Sequence, residues 1–175
     1  DGDLFNLGLI VEEMGYAAMP GPFFSTVVMG AQLILQAGSV EQKKAILPGV
    51  ARGNTFLTVA FMEPDGNMAP SSIETTATRH GSNYILRGTK LFVDDAHIAN
   101  SLICVARTGP RDMASDNISL FLVPTETSNI KYTALLTTTG GKQFEVRFED
   151  VMVPIANLIG ETGSGWPTVD KVLQG

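Results

Sequence analysis

Two short stretches hold the side chains best placed to do chemistry. One reads AFMEPDGNM over Ala60–Met68, the other KLFVDD over Lys90–Asp95. Together they set aromatic, thioether and carboxylate groups where strands end, and backbone N–H groups at such an end can meet a ligand whatever the side chain is. The arrangement suits the wall of a cofactor site. Other candidates are weaker. Glu12-Glu13, Asp94-Asp95 and Glu149-Asp150 are adjacent carboxylates of the kind that cap helices or sit solvated in loops. His80 falls in a turn and His97 follows the second stretch; neither has a partner at ligand spacing, so both read as structural or surface residues. Cys104, inside the apolar run SLICVA, reads as a small buried hydrophobe. No metal site and no nucleophile–base set is visible.

The elements that must position these groups change character along the chain. Leu7, Ile10, Val11 and Met14 recur at helical spacing, with Asp3 near the start, and Pro20-Gly21-Pro22 breaks the pattern. A second helix is expected with Phe24, Val27, Val28, Ala31 and Leu35 on one face and Gly38 just past its end. Ser39 and Gln42 form a capping-box pattern ahead of a short helix that Pro48 should close. From Thr55 onward the signals are β: Thr55–Met62, Ile73–Arg79, Tyr84–Val93, Ser101–Arg107, Ile118–Val123, Ile130–Leu136 and Phe144–Phe148. Seven short strands at that spacing predict a barrel or sandwich. Asn157–Trp166 reads as a loop, and Thr168–Leu173 as the first turns of a helix that stops at Gly175 before it can pack, the sign of a truncated chain.

Bulk properties narrow the function. A chain of 175 residues, 44% hydrophobic, can bury a genuine core. With 17% charged residues and a net charge of −6, no basic cluster is present to meet nucleic-acid phosphate. No apolar run is long enough for a bilayer-spanning helix, and the acidic N-terminal residues do not suit a signal peptide. One cysteine cannot form an internal disulfide, which fits a reducing compartment, so a cytoplasmic location is expected.

The order of fragments resembles the acyl-CoA dehydrogenase family: EEMGYAAMPGPF, GSVEQKKAILPGVARG, AFMEPDGN, NYILRGTKLFV, ISLFLV and FEDVMVPIANLIGETGSGW follow one another at the family's spacing. The resemblance implies an α+β chain: 1–55 as the end of an N-terminal helical domain, 56–157 as a small β-barrel or sandwich domain, and 158–175 as the start of a C-terminal four-helix bundle. It implies FAD as cofactor and α,β-dehydrogenation of an acyl-CoA thioester, with Phe61, Met62, Met68, Phe92, Val93 and Asp94 as flavin-wall residues and Met68 also near the acyl group. An electron-transfer flavoprotein or similar acceptor and a homo- or hetero-oligomer are the implied partners. The family's glutamate base lies in the C-terminal helices, so no catalytic residue is assigned in this chain, which is expected to be inactive by itself and to hold FAD weakly.

Several positions depart from the family pattern. Met62 and Met68 stand where the family carries hydroxyl residues, Phe92 where it carries Trp, and Asp94 where it carries Thr or Ser. A thioether donates nothing, and an ionised carboxylate only accepts, so Asp94 would oppose the acceptor N5 of an oxidised flavin. Thr137–Gln143 likewise lacks the family's Arg and Ser-Asp-Thr. These departures also fit a second reading, a flavin-poor structural subunit of a heteromeric dehydrogenase. A third, a β-rich interaction module without chemistry, needs only the strands.

Overall fold

A computed structural model describes residues 4–110, 117–138 and 140–174; Asp3, Thr139 and Gly175 lie outside them. Helices come first. Helix α1 covers Leu4–Tyr16, a π-helical segment Phe24–Ala31 runs straight into α2 (Gln32–Ala37), and α3 spans Val40–Ala51. Seven strands follow: β1 (Leu57–Ala60), β2 (Thr76–His80), β3 (Asn83–Asp94), β4 (Ser101–Arg107), β5 (Ile118–Pro124), β6 (Ile130–Leu135) and β7 (Gln143–Pro154). A two-residue strand β8 (Leu158–Ile159) and helix α4 (Gly165–Gln174) complete the described chain.

The capping box forms as its residues predict. The Gln42 N–H donates to Ser39 Oγ at 3.2 Å, and the Ser39 N–H donates to Gln42 Oε1 at 3.0 Å. Pro48 does not close α3. It lies inside the helix, which continues to Ala51, since proline deletes a single N–H bond and the flanking turns carry the helix past it. Gly38 caps α2 in an extended conformation rather than a left-handed one.

The expected face of the second helix is also revised. Phe24 and Leu35 are 58% and 47% exposed, while Ser25, Thr26, Gly30, Leu33 and Ile34 are buried. Of the expected face, Ala31 is buried and Val27 and Val28 are half-buried; the i→i+5 bonding of the π segment shifts the phase, so a 3.6-residue reading misplaces Phe24 and Leu35 at its two ends. Thr26 Oγ1 donates to the Leu57 carbonyl and accepts from the Leu57 N–H, both at 3.0 Å. At Gly30 a Cβ would stand 2.6 Å from Leu57 Cβ, so only glycine lets helix and strand approach this closely.

The strands form one open sheet, not a closed barrel. Its order is β6-β7-β3-β2-β4-β5-β8, with β1 added in parallel against β4. Closure would need the end strands to bond each other. Instead β8 offers two residues and spends them on β5, while β6 bonds only β7. Period-2 patterning reports which face is buried and says nothing about whether the ends meet. The core has two sides. Leu86, Val93, Leu102, Cys104, Phe121 and Phe148 pack on one face; Leu33, Ile34, Leu57, Ile103, Leu120 and Val169 join the helices to the other. Val169 belongs to α4, so this last helix does pack, against the expectation that it would stop too soon. The segment 157–166, read as loop, contains β8.

Candidate functional site

The site is built where β1 leaves the sheet and β3 bends. Between Lys90↔Val146 and Val93↔Phe144 the β3–β7 register shifts, so Leu91 and Phe92 together oppose Glu145. This is a β-bulge, and within it Phe92 adopts φ +54°. A bulky residue rarely takes the left-handed region, and such strain persists only where surrounding bonds impose it. Those bonds are present. The Leu91 N–H donates to the Met62 carbonyl at 2.9 Å, tying the bulge to the β1 exit.

Beneath that tie lies an ion pair sealed from solvent. Lys90 Nζ donates to Glu63 Oε1 at 2.7 Å and to the Phe61 carbonyl at 3.1 Å, with the side chains 0% and 2% exposed. Glu63 also accepts from the Glu74 N–H at 2.7 Å and the Thr75 N–H at 3.0 Å. The Glu63 carboxylate therefore serves as a knot between three segments. It accepts three bonds, two on Oε1 and one on Oε2, the compensation a buried charge requires.

Above the knot lies a cavity of about 290 Å³. Of the six residues assigned to a cofactor wall, Phe61, Met62, Met68, Phe92 and Asp94 line it. Val93 does not: its side chain is fully buried in the sheet core, leaving only its backbone for a ligand. Thr58, Leu91, Gln143 and Leu173 line the cavity too, as do Phe24, Ser25 and Met29 from the π segment. The residues from the π segment were not assigned to the wall by sequence, where Phe24 was placed on a helix face, because nothing in a 3.6-residue reading marks an i→i+5 turn. Gln143 ends the Thr137–Gln143 stretch already noted as unlike the family, a usable signal.

The Asp94-Asp95 pair is not the solvated charge pair its sequence suggests. Asp94 Oδ1 accepts from Gln143 Nε2 at 3.0 Å, and the Asp94 carbonyl accepts from Thr58 Oγ1 at 2.6 Å. Asp95 takes φ +53° and accepts from Ser25 Oγ at 3.1 Å. The other pairs are surface charges. Glu12 and Glu13 are exposed on α1, Glu149 faces Lys131 and Asp150 faces Arg87, whose guanidinium holds the Asp150 carboxyl below its ordinary range. His80 is the last residue of β2, opposite Asn83, rather than part of the turn proper, and His97 stacks on Phe144 at 5.3 Å. Burial pushes the Cys104 thiol up to about 12, so it is no nucleophile at neutral pH. Among the described residues no group of three metal-ligating side chains occurs, and no helix is long and apolar enough to cross a membrane.

Helices on one face of an open sheet, with a ring-sized hollow at their junction, are an established architecture. Residues 1–54 match the N-terminal domain of acyl-CoA dehydrogenases and residues 58–151 the middle domain. The chain belongs to the acyl-CoA dehydrogenase family. Among its relatives, the acyl-CoA dehydrogenase FadE26 of Mycobacterium tuberculosis is 30% identical over 94% of this chain and 42% of its own length. In structure, the ChsE4-ChsE5 complex of the same organism superposes with a TM-score of 0.86 at 29% identity, covering 97% of this chain and 44% of that one. Butyryl-CoA dehydrogenase from Megasphaera elsdenii gives 0.82 at 26%, covering 87% and 40%. The chain thus spans less than half the length of these relatives.

The cavity can be tested against the family's flavin on its own residues. The half-exposed Phe92 offers a face to a planar ring, with Met62 and Met68 beside it, while Phe61, 8% exposed and against Trp166, lines the hollow from the core. Its volume lies at the small end of ligand sites, which run from about 300 to 1,000 Å³. That admits a tricyclic head and leaves the rest of a dinucleotide outside. The faces fit. The one edge that differs in kind is Asp94, an acceptor.

Proposed function

We propose that this chain forms the flavin-ring wall of an acyl-CoA dehydrogenase that introduces an α,β double bond into an acyl-CoA thioester. The observation that carries this reading is the single cavity joining five of the six wall residues from β1, the Met68 loop and the β3 bulge. When bound, FAD would supply the hydride acceptor. Phe92 would cover the ring and Phe61 would line it through backbone groups, Met62 and Leu91 exclude water along the β1–β3 seam, and the exposed Met68 stands at the mouth where an acyl group would approach. Val93 can contribute only main-chain groups. None of the lining residues is assigned as the base, which the family places in its C-terminal helices.

Acyl-CoA thioester, an electron-transfer flavoprotein or similar acceptor, and an oligomeric assembly are the partners of this reading; the similar structure ChsE4-ChsE5 is itself a complex. The test is direct. Titrated into the purified protein, FAD should bind weakly but saturably, with a shift of its flavin absorption band. Colourless protein that takes up no FAD would defeat the reading and leave the flavin-poor structural subunit in its place.

A further inference from the structure

Asp94 is the only ionisable residue among the described residues that line the cavity. Its neighbours there are apolar or already engaged. The Thr58 hydroxyl donates to the Asp94 carbonyl, and the Ser25 hydroxyl points its proton at Asp95 or at the Pro22 carbonyl. Gln143 donates to Oδ1, and among the described residues no donor reaches Oδ2. The carboxylate is half-buried, so an unmatched oxygen is costly to cover with an apolar or acceptor-edged ligand. Phe92, held by the bulge with its ring half-exposed, adds an aromatic face, and aromatic faces attract cations. Met29, Met62 and Met68 complete a polarizable wall.

We propose that Asp94 makes this cavity select a flat ring that turns a hydrogen-bond donor or a positive charge toward it, over a ring of similar size that turns an acceptor. The inference rests on reading the cavity as the ring site. It departs from what the family's hydroxyl at this position would favour: a hydroxyl can donate to an acceptor edge, and a carboxylate cannot. Gln143 and Thr58 sharpen the selection, because they hold the carboxylate and its backbone in place instead of letting it swing out to water.

Two tricyclic probes separate the alternatives: proflavine, a diaminoacridine cation, and lumiflavin methylated at N3, a neutral ring that carries acceptors and no N–H donor. Each is titrated into the purified protein and followed by fluorescence. Wild type should bind proflavine more tightly than lumiflavin. In Asp94→Asn the proflavine affinity should fall roughly tenfold or more, the scale of one charge-assisted hydrogen bond, while lumiflavin affinity holds or rises. Glu12→Gln, which removes the same charge from the exposed face of α1, should change neither affinity and so excludes general attraction to an acidic protein. If Asp94→Asn does not fold by circular dichroism, Asp94→Ser supplies the same comparison. The proposal is overturned if wild type binds lumiflavin as tightly as proflavine, if the preference survives in the Asp94 variants, or if neither ring binds. The outcomes also separate this inference from the flavin reading. Asp94-dependent proflavine binding without FAD uptake defeats the latter alone, and FAD uptake indifferent to Asp94 defeats the former alone.

Discussion

At the scale of single residues, the buried pair Lys90–Glu63 decides whether the site exists. Both charges have left water, and the structure answers with five short contacts: Nζ to the carboxylate and to a carbonyl, two N–H groups to the carboxylate, and the Leu91–Met62 bond alongside. Desolvation offsets much of the Coulombic gain in such pairs, so the intact pair is modestly stabilising at best. Breaking it is another matter. Lys90→Met leaves a carboxylate buried without its counter-charge and should cost about 3–5 kcal/mol in denaturant unfolding, as should Glu63→Gln to a lesser degree. The double variant Glu63→Gln/Lys90→Met should cost clearly less than the sum of the two singles, because neither charge is then stranded. Additive single and double variants would show that the pair is no unit.

At the scale of elements, the β3 bulge and the π segment shape the cavity between them, and each breaks a regular pattern. Phe92 occupies a left-handed position that costs an L-residue roughly 1–2 kcal/mol and a glycine almost nothing. Its side chain is 49% exposed, so truncation forfeits little core burial. Phe92→Gly should therefore be more stable than Phe92→Ala by about 1 kcal/mol in chemical denaturation, the reverse of the usual ranking inside a strand. An alanine variant at least as stable as the glycine variant would mean that the strain is not there in solution.

These irregular pieces also mark where sequence reading stops. Capping-box chemistry and the aromatic and β-branched strands were legible, because each depends on local residue types; the two stretches singled out by resemblance do line one cavity. The π turn was not, since a one-residue change of hydrogen-bonding register leaves no mark in a 3.6-residue pattern. Nor was the full burial of Val93 between the exposed Phe92 and the half-buried Asp94. In a strict strand residues 92 and 94 share a face and 93 takes the other, but whether a left-handed bulge residue still points into a hollow depends on β7 and Gln143, distant in sequence. The open sheet escaped for the same reason: pairing of β6 and β8 is a long-range fact.

At the scale of the whole molecule, stability is distributed unevenly. The sheet core holds fully buried residues from β3, β4, β5 and β7, and α2 and α4 share its second cluster. Helix α1 shares in neither. Its Phe5, Leu9 and Ile10 are 72%, 46% and 50% exposed, it has 13 residues, and its first and last turns carry no charge that favours the helix dipole. Isolated helices shorter than about 12–15 residues are marginal in water, and helical stability in proteins comes mainly from a packed face. Local opening energies should then differ sharply between the two regions, since exchange protection follows buried contacts. Hydrogen exchange read by mass spectrometry should label the amides of 4–16 far sooner than those of β3 and β7. Brief proteolysis should cut within 17–23, where Ala18 and Gly21 take positive φ, and leave the remainder with its unfolding midpoint little changed. Slow exchange across α1 in the monomeric protein, or a nick there that unfolds the sheet, would show that this helix is held by contacts the exposed face does not reveal.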